Sequence, residues 1–337
     1  MVTEQLLTWL RDSDPALRWQ VERDLLREPP EVWEATRARI ATEGFGARLL
    51  ALQDPDGQWA GGAFFPADFR GTPPDDPRSD GTEPDSPGPD AGQPWTATTW
   101  TLNSLREWGL DPAVLRRRRT VELLAENSRW EYEDLPYWGG EVDCCINAWT
   151  VANGLWLGAD VTGVVDWFLD HRLPDGGWNC EWVEGSTRSS VHSTLNSLKG
   201  ILAHDIATGG TEATRAARRS GEEYLLERGL FRRLSTGEPL APWVGRFAYP
   251  FRWFYDVLNA AEYFRDAALA DGTAPDPRLA EAIELVRAAR QPDGTWLQAR
   301  RHPGRVWFEV DVAAGEPSKW LTLSGTRVLD WWDARTR

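Results

Sequence analysis

One turn occurs three times in this chain and limits what the chain can fold into. QDPDGQW at Gln53–Trp59, LPDGGW at Leu173–Trp178 and RQPDGTW at Arg290–Trp296 each place a tryptophan two positions after Pro-Asp-Gly. Trp59, Trp178 and Trp296 lie 119 and 118 positions apart, about twice a unit of roughly sixty residues, within the range of helical repeats. Proline and Asp-Gly make a tight turn, and the tryptophan after it can pack back on the preceding helix. Weaker versions fill the gaps, at Glu126–Gly140 (ENSRWEYEDLPYWGG) and Ser235–Phe247 (STGEPLAPWVGRF).

An apolar helix with few charges is expected after each turn: Thr96–Trp108, Val142–Leu157, Val191–Leu202, Phe251–Phe264 and Trp320–Trp332. Charged amphipathic helices lie between them, at Pro112–Leu124, Thr211–Leu226 and Pro277–Ala289, and an early pair at Ala16–Leu26 and Glu31–Thr42 makes up six. Only an outer helix meets solvent along one face, so the low-charge set should form an inner ring. The expectation is an all-α, single-domain fold over residues 1–337. TLNSL recurs at Thr101–Leu105 and Thr194–Leu198, with LTLSG at Leu321–Gly325, and aligning these strings puts His192 level with Thr99 and Trp320. Inner helices that all begin at one end would gather their unpaired N–H groups and dipoles there, favouring an anionic ligand.

Residues 67–94, acidic and rich in Pro and Gly, interrupt the pattern and read as a surface loop insertion that could serve as a lid. Net charge is −15, which argues against a nucleic-acid partner. The one strong basic run, Arg116–Arg119, reads as a solvated helix start. No stretch of 18 apolar residues occurs, and the N-terminal residues do not resemble a signal peptide. Three cysteines, two of them adjacent, do not make a disulfide framework. A soluble protein in a reducing cytoplasm is therefore expected.

The stretch Trp138–Leu157, WGGEVDCCINAWTVANGLWL, carries the chemistry. Asp143 and Cys145, both able to bind metal, fall in the first turn of a buried helix, and His192 falls in the first turn of the helix VHSTLNSL. Cys144 points about 100° away from Cys145 on a helix and reads as packing. Cys180, in GGWNCEW, is an alternative ligand.

The turns resemble the QW-type repeats of the α/α-toroid superfamily, which contains squalene–hopene-type cyclases and the β subunits of protein prenyltransferases. The resemblance covers nearly the whole chain from about Asp14 and implies an (α/α)6 toroid with a central cavity. Prenyltransferase β subunits carry a zinc site made of Asp-x-Cys at one inner-helix start and a histidine at a later one. By that resemblance Asp143, Cys145 and His192 would hold Zn2+, with a fourth position open as in catalytic sites. Zinc there would activate a thiol or a water, or polarise a carbonyl. The family's basic residues before the Asp ligand are replaced here by Tyr137 and Gly140, and Arg188, Lys199, Arg246 and Arg252 are the remaining candidate cations.

Class II terpene cyclases, the other branch, protonate an alkene through the middle residue of Asp-x-Asp-Asp. The matching stretch here is Glu141-x-Asp143-Cys144, which keeps only the middle Asp. The leading expectation is thus a zinc-dependent enzyme acting on a small, largely apolar, terpenoid-like substrate. A cyclase using Asp143 as general acid and a non-catalytic binding protein are the alternatives. Glu141 is a candidate base for a zinc-bound water, and Tyr255 or Asp256 a candidate acid or base. Trp95, Trp100, Trp149, Trp253, Trp320 and Tyr249 are expected to line the cavity, while His171, His204 and His302 read as ordinary surface residues.

Overall fold

The computed structural model describes residues 3–69 and 92–335. Most of the 67–94 insertion therefore lies outside the described residues. Described residues are mostly helical: α1 Glu4–Arg11, α2 Pro15–Asp24, α3 Pro30–Ala38, α4 Gly44–Ala51, α5 Thr98–Glu107, α6 Pro112–Arg117 and α7 Thr120–Asn127. The second half adds α8 Cys144–Leu157, α9 Thr162–Asp170, α10 Val191–Thr208, α11 Glu212–Leu226, α12 Val257–Asp271, α13 Ala280–Ala288 and α14 Lys319–Arg335. Among the described residues, a two-residue antiparallel pair, Trp296–Leu297 with Pro317–Ser318, makes up the sheet content apart from isolated bridges.

The three turns are built alike. In each, glycine adopts a positive φ (90°, 105° and 92° at Gly57, Gly176 and Gly294), a region costly for residues with a Cβ. The following tryptophan is buried and donates its indole N–H to a carbonyl ten residues earlier. The pairs are Trp59 to Leu49 (2.7 Å), Trp178 to Phe168 (3.0 Å) and Trp296 to Val286 (2.9 Å). Each indole thereby satisfies a carbonyl at or near the end of the preceding helix. Each tryptophan backbone N–H then donates to a threonine hydroxyl near the start of the next helix, Thr98, Thr194 or Thr322. The turn thus staples one helix end to the next helix start.

These bonds correct the alignment drawn from the sequence. Thr98, not Thr101, is the counterpart of Thr194 and Thr322, so the first TLNSL string sits three residues out of register with the second. Three residues is close to one helical turn, which keeps the same face inward and hides the slip from pattern matching.

Six helices contact one another in a closed order. The Gln20 amide of α2 reaches the Glu107 carbonyl of α5 (3.3 Å), and Asn103 of α5 bonds Asn153 of α8 (2.9 Å). Gly200 brings α10 against α8 so closely that an added Cβ would lie 2.7 Å from Ala148 Cα. Lys199 of α10 bonds Asn259 of α12, and Arg327 of α14 approaches Glu262 of α12 (3.6 Å) and donates to Gln20 of α2 (2.7 Å). These six helices surround a cavity of about 610 Å³.

Two expected helices are shorter than their sequence pattern. Phe251–Phe264 begins only at Val257, where Asp256 accepts from the Asn259 N–H (2.8 Å) as N-cap. Arg252 just before it has φ 53°, which no helix continues. Pro112–Leu124 breaks at Arg119, also left-handed at φ 58°. The Arg116–Arg119 run is not simply solvated: Arg116 donates to the Leu157 and Trp156 carbonyls at the end of α8 (2.9 and 3.0 Å), and Arg118 to the Leu50 carbonyl near the end of α4 (2.5 Å). Cations at helix C-termini satisfy orphan carbonyls and oppose the dipole.

Candidate metal centre and cavity

Asp143, Cys144, Cys145 and Cys180 each offer one ligand atom, and the four atoms lie within 4.8 Å of one another. Three local features assemble them. Asp143 is the N-cap of α8, its Oδ1 accepting from the Cys145 and Ile146 N–H groups (2.7 and 3.2 Å). The loop before it is clamped by Asn147, whose side chain bonds both the N–H and the carbonyl of Glu141 (2.6 Å each). The Glu141 carboxylate accepts from the Asp143 N–H (2.6 Å). Opposite, a 3-10 turn at Cys180–Glu184 starts on Asn179, and the Cys180 N–H donates to Ser193 Oγ of α10 (3.2 Å). The close crossing of α8 and α10 at Gly200 holds the two halves together.

Cys180 Sγ lies 3.3 Å from Cys144 Sγ and 3.3 Å from Cys145 Sγ, and donates to Asp143 Oδ1 at 2.8 Å. A zinc tetrahedron with sulfur at roughly 2.3 Å has edges of about 3.8 Å, so an ion would spread these sulfurs by about half an ångström. All three thiols are pushed well above the ordinary thiol range. Burial is the main cause for Cys144 and Cys180, and the hydrogen bond with Cys144 for Cys145. Inside this site the thiolate form needs a cation beside it. Glu141, half-buried in the loop, is raised to about 7, chiefly by burial.

His192 is not part of this cluster. Its Nδ1 accepts the Tyr255 N–H (2.9 Å), and its ring packs against Trp243 and Trp253 at centroid distances of 4.8 and 5.7 Å. Burial lowers its pKa to about 4. Cys144, read as packing from its helical angle, belongs to the cluster, because Cys180 approaches from the loop and reaches both neighbouring sulfurs.

The other candidate acids and bases are held in structural bonds. The Tyr255 hydroxyl donates to the Leu230 carbonyl (2.7 Å), and Asp256 is the buried cap of α12. Neither lines the 610 Å³ cavity. Trp149, Tyr249 and Trp320 do line it, while Trp95 and Trp100 border a smaller adjoining space that shares Arg252. Trp253 instead stacks on Phe254 (3.9 Å) beside His192. Of the four candidate cations, Lys199 and Arg252 face the cavity.

His302, expected at the surface, stacks flat on Phe254 at 3.8 Å, with its Nδ1 buried and unpartnered. Burial drives its pKa well below the usual value. Asn196 was missed as a site residue. Its amide donates to Cys145 Sγ (3.3 Å) and to the Trp253 carbonyl (3.0 Å), and it also lines the cavity, so one side chain joins cluster and cavity.

No protein-family profile and no curated protein matches the chain. Two solved structures match, both of the type II terpene cyclase MstE from Scytonema. The ligand-free form has 13% identity, covers 71% of each chain and gives a TM-score of 0.35. The form in complex with geranylgeranyl dihydroxybenzoate has 14% identity, covers 71% of this chain and 72% of that one, and gives 0.36. No helix among the described residues is long and apolar enough to cross a membrane.

Proposed function

We propose that the chain is an (α/α)6 toroid whose inner ring is α2, α5, α8, α10, α12 and α14, and that it is a zinc-dependent enzyme. Its substrate is a small, largely apolar, terpenoid-like molecule held in the central cavity. The observation that carries this reading is the convergence of Asp143, Cys144, Cys145 and Cys180 one side chain, Asn196, away from that cavity. Cysteine-rich sets suit zinc over the harder divalent ions. Bound there, zinc would convert the three thiols to thiolates and act as a Lewis acid toward a thiol, a water or a carbonyl.

Of the four groups that would hold the ion, Asp143 would be the one to give way to another ligand, because carboxylate is the hardest donor and its Oδ1 already accepts from two helix-start N–H groups. Glu141, whose carboxylate accepts from the Asp143 N–H, would be the candidate base for a zinc-bound water. Asn196, which lines the cavity, donates its amide to Cys145 Sγ.

A second reading is favoured by the same count of donors: four protein groups fill a tetrahedron, the pattern of a structural zinc site, and the cavity would then bind its ligand without chemistry. Cobalt substitution separates the two. Ligand-field bands that shift when a small thiol or imidazole is added report an exchangeable position and support the enzyme. Bands that stay fixed at saturating thiol and imidazole overturn it in favour of the closed site.

A further inference from the structure

The sulfurs of the cluster are placed so that one can bond to either of the other two. Cys180 Sγ lies 3.3 Å from Cys144 Sγ and 3.3 Å from Cys145 Sγ. A disulfide bond is about 2.05 Å long, so either contact needs to close by only about 1.3 Å. Cys144 and Cys145 are chain neighbours, with Cα atoms about 3.8 Å apart, below the span of roughly 4.4–6.8 Å that ordinary disulfides need. A bridge within this cluster therefore includes Cys180.

Its position also makes Cys180 the first to react. Cys144 and Cys145 are buried in the first turn of α8, whereas Cys180 is half-buried at the start of the short turn Cys180–Glu184. An oxidant arriving from solvent meets Cys180, with the two helical sulfurs behind it. The Cys180 N–H donates to Ser193 Oγ (3.2 Å), the Ser193 hydroxyl lies 3.3 Å from Cys180 Sγ, and the Cys180 thiol donates to Asp143 Oδ1 (2.8 Å). Turning the side chain exchanges the two weak sulfur contacts for a covalent bond and leaves the backbone contact in place.

We propose that Cys180 is a redox modification site: a low-molecular-weight disulfide oxidises the cluster to one bridge, Cys180 to Cys145 or to Cys144, and that bridge excludes the metal. The Cys180 thiol attacks the oxidant RSSR, giving Cys180–S–S–R and one RSH. The thiol of Cys145 or Cys144 then attacks the Cys180 sulfur, closing the bridge and releasing a second RSH. The protein gives up two electrons and two protons, and both pass to the two RSH molecules. The second step is intramolecular, with the attacking sulfur already 3.3 Å away, so the mixed disulfide is resolved rather than accumulated.

The thiol left over can exchange with the bridge, so Cys144 and Cys145 substitute for each other. Oxidation leaves Asp143 and one thiol of the four donors, too few to hold zinc in a tetrahedral site. The loss of metal rests on the zinc reading above; the bridge itself does not.

The test is oxidation of the folded full chain by hydroxyethyl disulfide, followed by thiol counting and by intact and peptide mass measurement. In protein stripped with a chelator, free thiols should fall from three to one, the mass should fall by two hydrogens, and the bridged peptides should contain Cys180. Cys144→Ser and Cys145→Ser should each still close a bridge, and Cys180→Ser should close none. A lasting hydroxyethyl adduct on Cys180, three unreacted thiols, or a bridge formed in Cys180→Ser overturns the proposal. The parent's thiol count and peptide map decide the matter even where a variant misfolds. In protein loaded with zinc chloride, the same oxidant should release one zinc per bridge, read with a chromogenic chelator. Zinc kept by a bridged chain overturns the exclusion of metal, whereas a chain that takes up no zinc yet closes the bridge contradicts the zinc reading alone.

Discussion

Asp256 shows how a residue with the chemistry of a catalyst can act on stability instead. It is buried at the start of α12, and desolvation raises its pKa from 3.8 to about 7, against smaller lowering effects from the Asn259 N–H and the Lys199 cation. A carboxyl with a raised folded-state pKa holds its proton in the native protein at pH values where the unfolded chain has lost it. Its effect therefore runs opposite to that of a salt-bridged carboxylate. Below about pH 4 both states are protonated and the group has no net effect. Between about pH 4 and 7 stability falls, and above about pH 7 the loss is complete. At roughly 1.36 kcal/mol per pH unit the loss is about 4 kcal/mol. Asp256→Asn keeps an N-cap acceptor for the Asn259 N–H, since asparagine caps helices about as well as aspartate, and it does not titrate. The variant should match the parent near pH 4 and exceed it by several kcal/mol at pH 8, measured by urea unfolding across that range. A variant less stable than the parent at pH 8 would refute the reasoning, because it would mean that Asp256 is ionised and paired in the native protein.

Other predictions test the scaffold and the cavity. Thr194→Val removes the acceptor for the buried Trp178 N–H and should cost about 1–3 kcal/mol in thermal or urea unfolding; an unchanged midpoint would show that the stapling bond is dispensable. Gly200→Val forces a Cβ against the Ala148 backbone at 2.7 Å, which should cost about 1–3 kcal/mol or more and lower metal occupancy by separating α8 from α10. Arg252→Met should raise the unfolding temperature, since it removes a half-buried charge with no ion pair among the described residues, whose contact with Trp95 returns only about 1 kcal/mol. A lower unfolding temperature would show that Arg252 supports the fold.

Much of the fold was legible because the repeat is local. Pro-Asp-Gly-x-Trp encodes its own turn, and the indole bond to a carbonyl ten residues back needs nothing beyond the unit itself. The helix start at Val191 followed from the same punctuation, and the start expected at Val142 falls two residues later, at Cys144, after the Asp143 cap. What the pattern could not give was depth along a helix. TLNSL repeats with one face inward whether or not it slips by a turn, and only the bonds to Thr98, Thr194 and Thr322 fix the register. The late start of α12 was hidden for a related reason: AYPFRWFYDVL is apolar apart from Arg252 and Asp256, and the left-handed Arg252 leaves no trace in hydrophobic spacing.

The site divides along the same line. Asp143 and Cys145 were visible as polar groups at a helix start, and Lys199 and Arg252 as candidate cations. Cys180, an alternative ligand in the sequence, joins the cluster through an irregular loop whose path no periodicity describes, and its position between two adjacent helical cysteines brings in Cys144. His192 instead turned to the Tyr255 backbone, a partner 63 residues away in sequence. The charge of the cavity was also invisible in a chain of net −15, because its cations come from α2, α3, α5, α10, α12, α14 and the Arg252 loop, far apart in sequence.

The most direct measurement is metal content of protein purified under reducing conditions, for the parent and for Cys180→Ser and His192→Ala variants. The account predicts close to one zinc per chain in the parent and in His192→Ala, and loss of most of it in Cys180→Ser. No metal in the parent, or metal kept by Cys180→Ser and lost by His192→Ala, would contradict it.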